Sequence, residues 1–159
     1  MYRLHLNPLV VAATVVCLSL SVALGIAAPA TADSVYHSQH IALMPAGGAP
    51  LATGFVENIH VNGPRVFAHE RYVLVGAEPA TEYQATIQIY GDPAASVWLG
   101  AMPTVKFATN GVGNGVGRFT LPLSGVPEAF HGLTLYLVWE LTSGGVVAYK
   151  TAVSPVVLD

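Results

Sequence analysis

The sequence predicts an all-β fold: an antiparallel Greek-key β-sandwich of about eight or nine strands, preceded by an N-terminal signal helix. Three observations carry this expectation. Beyond residue 32, apolar residues recur with a period of two. Gly, Pro and Asn interrupt the apolar segments about every ten residues, the spacing of short strands and turns. No stretch beyond residue 32 sustains a helical period, and proline and glycine recur too often for long helices.

The candidate strands are 40–44, 54–61, 65–75, 83–90, 96–99, 104–109, 117–123, 133–141 and 146–156. In 83–90, Tyr83, Ala85, Ile87 and Ile89 point one way, while Gln84, Thr86 and Gln88 point the other. In 133–141, Leu133, Leu135, Leu137, Trp139 and Leu141 share one face, and Thr134, Tyr136, Val138 and Glu140 share its opposite. Phe119, Leu121 and Leu123 alternate with Arg118, Thr120 and Pro122. The last two segments are joined by Thr142-Ser143-Gly144-Gly145, whose glycines provide the positive φ of a tight reversal. Residues 127–131 have room for one short helical turn. With no internal repeat, residues 33–159 read as a single domain.

Residues 1–32 read as a signal peptide. Arg3 forms a short positive start, an apolar run extends from Leu9 to Ile26, and Ala30-Thr31-Ala32 gives the small-residue pattern of a cleavage site. Cleavage would leave Asp33 as the new N-terminus; retention as a membrane anchor is the alternative. The only cysteine, Cys17, lies within the apolar run after Val16, which argues against lipid attachment. The domain after cleavage has no disulfide to form, and export without disulfides points to a bacterial protein. A domain of this size buries roughly two-thirds of its unfolded surface, enough for a core to hold it.

Charge excludes further classes. Only 9% of residues are charged and the net charge is −3. Beyond residue 32 the basic residues Arg65, Arg71, Lys106, Arg118 and Lys150 are scattered singly, so neither nucleic acid nor an anionic membrane surface is an expected partner.

One local stretch resembles a known family. Ala77-Glu78-Pro79-Ala80-Thr81-Glu82-Tyr83-Gln84-Ala85-Thr86-Ile87 is similar to the L-x-P-x-T-x-Y-x-V-x-V stretch of fibronectin type III domains, with Ala77 in the leucine position. The resemblance implies an immunoglobulin-like sandwich corner in which the Tyr83 hydroxyl bonds backbone a few residues upstream. It covers about a dozen residues. About 70 residues follow Tyr83, more than that family places there, so the corner implies architecture and no activity.

The histidines are the candidate metal ligands. His37 and His40 stand three apart, with Met44 beyond them. His60 and His69 flank the Asn62-Gly63-Pro64 turn and would approach each other across a hairpin. Imidazole suits zinc or copper and a thioether suits copper(I), but no four-ligand spacing is present. The stretch from Asn110 to Gly117 contains G-x-G but precedes a strand, so it reads as a long hairpin loop rather than a dinucleotide site. Glu57, Glu70, Glu78, Glu82, Asp92, Glu128 and Glu140 offer carboxylates whose proximity the sequence does not give. Glu140 is expected on an outward face or paired with Lys150 across the final hairpin. No G-x-S-x-G elbow is present. Trp98, Trp139, Tyr136 and Tyr90 are candidates for a sugar-stacking platform, with Trp139 expected in the core and Trp98 partly exposed.

The expectation is therefore a secreted, non-catalytic binding or structural module of the cell envelope or exterior. It would need no cofactor. Its partner would be a protein or glycan at the cell surface, and its edge strands would be free to self-associate. The alternatives are a copper- or zinc-binding protein using His37 and His40, and a carbohydrate-binding module or small hydrolase built around Trp98 or Glu140.

Overall fold

The computed structural model describes residues 37–60, 68–130 and 132–158. The expected signal helix and cleavage site, the Asn62-Gly63-Pro64 turn and the side chains of His37 and His60 lie outside the described residues. Val35–Asp159 form one compact unit.

The described residues form an all-β, antiparallel fold. Its strands are β1 (His37–Pro45), β2 (Thr53–His60), β3 (Ala68–Val75), β4 (Glu82–Tyr90), β5 (Trp98–Ala108), β6 (Gly115–Leu121), β7 (Leu133–Ser143), β8 (Val146–Thr151) and β9 (Ser154–Leu158). Two short 3-10 turns, Leu123–Gly125 and Glu128–Phe130, lie between β6 and β7. The second falls where one helical turn is expected.

Hydrogen-bonded strands run in the order β5-β4-β7-β8-β1-β2-β3-β6, and β9 pairs with β7. Two sheets meet in β1. Its residues from His37 to Ala42 pair with β2, and Leu43 to Pro45 pair with β8. At the other ends of the order, β5 and β6 pack beside each other, with the Phe107 ring of β5 against Gly117 of β6. The result is a nearly closed, barrel-like sheet.

The period-two patterns decide which side chains face inward. Tyr83, Ala85 and Ile87 of β4 and Leu135, Leu137, Trp139 and Leu141 of β7 are buried. Tyr72 and Leu74 of β3, Val56 of β2 and Tyr149 of β8 complete the core from the other strands. Four large aromatic side chains, those of Trp139, Tyr72, Tyr83 and Tyr149, are almost fully enclosed. Tyr83 sits 5.5 Å from Tyr149 and 6.2 Å from Phe107 between ring centroids, within the range of favourable aromatic pairing.

Three expected strand assignments are corrected. Segments 96–99 and 104–109 were expected as separate strands and are one, β5 (Trp98–Ala108). Proline removes a ladder donor, yet Pro103 lies within this strand. It is tolerated because β5 has a hydrogen-bonded ladder with β4 only and bulges there: Gln84 to Thr86 on β4 face Lys106 to Pro103 on β5. Conversely, the expected strand 146–156 is split into β8 and β9. Leu137 to Glu140 on β7 spans three steps, whereas Ser154 to Lys150 opposite spans four, so the extra residue breaks the ladder. The expected strand 117–123 is shifted two residues, to Gly115–Leu121, and residue 123 begins a 3-10 turn instead.

The corner at Tyr83 is built from backbone capping. Thr81 Oγ1 donates to the Pro79 carbonyl at 2.9 Å, and Thr109 Oγ1 donates to the Glu78 carbonyl at 2.6 Å. Tyr149 donates to the Pro50 carbonyl at 2.7 Å, so Tyr83 is the donor in their 3.4 Å hydroxyl contact. Burial first, and then the Tyr149 neighbour, push the Tyr83 phenol above its usual range.

The glycine-rich connection locks onto this corner. Asn110 Oδ1 accepts the N–H groups of Val112 and Asn114 at 3.1 and 2.9 Å. The Ala77 N–H donates to the Gly113 carbonyl, and the Ala80 N–H to that of Asn110, each at 3.0 Å. At Gly113, φ is +79° and a Cβ would lie 2.1 Å from the Ala77 carbonyl oxygen. Backbone cannot yield there as a flexible side chain would. Gly113→Ala is therefore expected to destabilise the fold by at least ~1–3 kcal/mol in denaturant titration. Gly111→Ala, which meets nothing within 4 Å, is the control and should change stability little.

Candidate functional site

Two places in the fold concentrate chemistry: a carboxyl inside the barrel and an aromatic row outside it. The inner one is Glu70. It alternates with Ala68, Tyr72 and Leu74 on the buried face of β3 and is only 5% exposed. Its Oε1 accepts the Trp139 indole N–H at 2.9 Å, and its Oε2 meets the Tyr72 hydroxyl. Tyr72 Oη lies 3.0 Å from Thr104 Oγ1, which donates to the Ala85 carbonyl at 3.3 Å. The Tyr72 hydroxyl donates to Glu70 Oε2, so both carboxyl oxygens accept a hydrogen bond. Burial raises the Glu70 carboxyl above its ordinary value against the opposing pull of these Tyr72 and Trp139 hydrogen bonds. Burial, followed by the neighbouring Glu70, likewise raises Tyr72.

A cavity of about 80 Å³ adjoins Glu70, walled by Ile87, Met102, Leu121, Leu135 and Val156. Ligand pockets typically measure ~300–1,000 Å³. This one is a packing void beside a structural carboxyl, not a ligand chamber.

The four candidate histidines are spread over strands β1 to β3. His37 and His60 are partners on one rung of the β1–β2 ladder. His40 lies on the rung of Glu57, and its ring sits 4.1 Å from that of Phe55. His69 lies on the rung of Ile59, next to that of His60 and Ala68, and its Nδ1 is 3.0 Å from Thr120 Oγ1. Among the described residues, no group of three or more His, Cys, Asp or Glu side chains is placed to hold a metal ion.

The outer face of β4 and β7 is different. Inward residues alternate with Gln84, Thr86, Gln88 and Tyr90 on β4 and with Tyr136, Val138, Glu140 and Thr142 on β7. Register aligns these across the sheet. Tyr90 pairs with Trp98 of β5 on one side and with Tyr136 of β7 on the other, and Tyr136 pairs in turn with Pro155 of β9. One rung thus carries Trp98, Tyr90, Tyr136 and Pro155 across four strands. Trp98 is 61% exposed, and both tyrosines are partly exposed. Trp139, also a candidate for a platform, is fully buried and takes no part.

A polar chain borders the row. The Trp98 indole N–H donates to Gln88 Oε1 at 3.1 Å, and Gln88 Nε2 donates to Glu140 Oε2 at 2.8 Å. Glu140 faces outward opposite Lys150, as the hairpin expectation has it. Asp92 fixes the entry to β5. Its carboxylate accepts the N–H groups of Val97, Ser96 and Ala94 at 2.7, 2.9 and 3.2 Å and the Ser96 hydroxyl at 2.9 Å. These bonds, that to Val97 foremost, hold the Asp92 carboxyl below its usual range. The loop delivers Trp98 directly onto the row.

Gln88 was identifiable only as an outward residue; its role as the link between Trp98 and Glu140 needs the register of three strands. Glu70 carried a signal, since it occupies an inward position of the 68–75 alternation.

The raised Glu70 carboxyl has a consequence for stability. Unfolded, it loses its proton near 4.5; folded, it keeps it to higher pH. Its contribution is fully present below the unfolded value and is lost as pH rises through the folded one. As pH rises above the ordinary carboxyl range, wild-type stability should therefore fall relative to Glu70→Gln, which keeps an acceptor for Trp139 but does not titrate. Thermal melts of both proteins as a function of pH check it; parallel curves would refute a raised Glu70 carboxyl.

No family model matches this chain, and neither a curated protein nor a solved structure matches it.

Proposed function

We propose that this chain is an exported, non-catalytic binding module that holds a saccharide on the outer face of β5, β4, β7 and β9. The observation that carries this reading is the single rung of Trp98, Tyr90 and Tyr136, extended by Pro155. Pyranose rings have faces of C–H groups, and aromatic rings have electron-rich faces that attract them. A mostly exposed tryptophan beside two partly exposed tyrosines provides such surface outside the core, where folding alone gives it no purpose. The adjoining amide and carboxylate of Gln88 and Glu140 are suited to sugar hydroxyls. A binding role is favoured over hydrolysis because Glu140 is bonded to Gln88, and its row continues with Thr86, Lys150 and Met44 rather than a second acid.

The architectural reading belongs with this proposal: a Greek-key sandwich of the fibronectin type III or immunoglobulin-like kind. It is supported by the Pro79-Thr81-Tyr83 corner and by β7 lying beside β4 rather than beside β6. Export is supported by Arg3, the apolar run and Ala30-Thr31-Ala32.

The test is retention of the purified protein on cellulose, xylan, chitin, mannan and amylose, beside a Trp98→Ala variant. Binding to at least one polysaccharide is expected, with affinity at least about tenfold weaker in the variant, ~1.4 kcal/mol. Because Trp98 is largely exposed, the variant's stability should stay within about 0.5 kcal/mol of wild type. No retention on any of the five, or equal retention of the variant, would overturn the reading.

A further inference from the structure

From the direction of the aromatic row we infer that the saccharide is an extended, β-linked chain lying across the strands rather than along them. This rests on the saccharide reading above and specifies its ligand. Trp98, Tyr90 and Tyr136 belong to three adjacent strands on one rung. Neighbouring strands lie about 4.8 Å apart, so Trp98 and Tyr136 are separated by about 10 Å across the sheet. One strand spacing is close to the length of one sugar unit in an extended β-linked chain, and two spacings are close to its two-unit repeat. Successive units of such a chain flip, which returns the same face to the protein every second unit. Trp98 and Tyr136 then meet equivalent faces, and Tyr90 supports the unit between them.

Along the strands the surface has the wrong chemistry for stacking. From Tyr90, the outer positions of β4 continue as Gln88, Thr86, Gln84 and Glu82, and those of β7 from Tyr136 as Val138, which is itself buried, then Glu140 and Thr142. The far corner holds the exposed Glu82–Lys106 pair at 3.7 Å. Aromatic surface therefore continues only across the strands. The row is bordered on one side by Gln88 and on the other by the exposed Thr134, so hydroxyls at both edges of the chain find polar partners. A helical α-linked glucan curves away from a row of this kind and presents successive sugar faces at changing angles.

Calorimetric titration of the purified protein with cellohexaose and with maltohexaose tests the inference. Four proteins are compared: wild type, Trp98→Ala, Tyr136→Ala and Lys106→Ala. Thermal melts confirm that each is folded, and Tyr136→Leu replaces Tyr136→Ala if the latter is not. Cellohexaose is expected to bind at least ~tenfold more tightly than maltohexaose. Trp98→Ala and the Tyr136 variant should each weaken it, and Lys106→Ala should leave it unchanged. Two results overturn the inference while sparing the saccharide reading: maltohexaose binding as well as cellohexaose yet still lost in Trp98→Ala, or Lys106→Ala weakening cellohexaose as much as the Tyr136 variant does. Binding of neither sugar overturns the inference, and the five-polysaccharide retention then decides the wider reading separately.

Discussion

The hydrogen bond between the Trp139 indole and Glu70 joins opposite walls of the barrel. β3 and β7 belong to different sheets, and covalent continuity between those sheets runs through the distant strand β1 and through loops. At the centre, the tie consists of Glu70 with Trp139, extended through Tyr72 to Thr104 on β5 and to the Ala85 carbonyl on β4. One carboxyl thus fixes the positions of β3, β4, β5 and β7. Buried polar groups are costly when left unpaired, so this network specifies one arrangement of the sheets more sharply than apolar packing does. A core of leucines and valines would tolerate sliding that the indole N–H does not.

Fixing β4, β5 and β7 from within aligns their outer faces. Ile87 and Trp139 are rung partners on the inside, and this same register places Tyr90 opposite Tyr136 on the outside. A slip of one residue would turn Trp139 outward and the tyrosines inward. The aromatic row is therefore a consequence of core packing, although none of its side chains is in the core. The opposite outer face, on β1, β2, β3 and β6, carries different chemistry. His40, Glu57, Arg71 and Arg118 share a rung there, with Arg71 paired to Glu57 at 3.6 Å. The row of Trp98, Tyr90 and Tyr136 has no counterpart on that rung.

Backbone conformation was legible wherever one face of a strand is buried. The alternation in 83–90 and 133–141 placed nearly every inward and outward residue of β4 and β7, because pleating forces period two on any strand with a single apolar side. Ends and interruptions were less legible. Pro103 lies inside β5 because a bulge on a strand without a second ladder partner tolerates the missing donor. The break between β8 and β9 depends on one extra residue opposite β7, which no local pattern announces. The Asn110–Gly117 stretch was readable as turn-rich, but it is not the hairpin loop expected: β5 pairs with β4 and β6 with β3, so the stretch crosses between sheets, with Gly115 to Gly117 already in β6. Its docking against Ala77 and Ala80 joins segments about 30 residues apart.

By itself the sequence determined that the domain is all-β, which faces of its strands are apolar, and that Trp98, Tyr90 and Tyr136 lie outside its core. These are properties of individual strands, set by the alternation of side chains along each one. Tertiary structure decided that the three aromatic residues share a rung, that Gln88 connects Trp98 to Glu140, and that Glu70 is enclosed with Trp139 as its donor. Those relations depend on strand order and register, which arise when distant segments pair, and composition and spacing along one strand do not contain them.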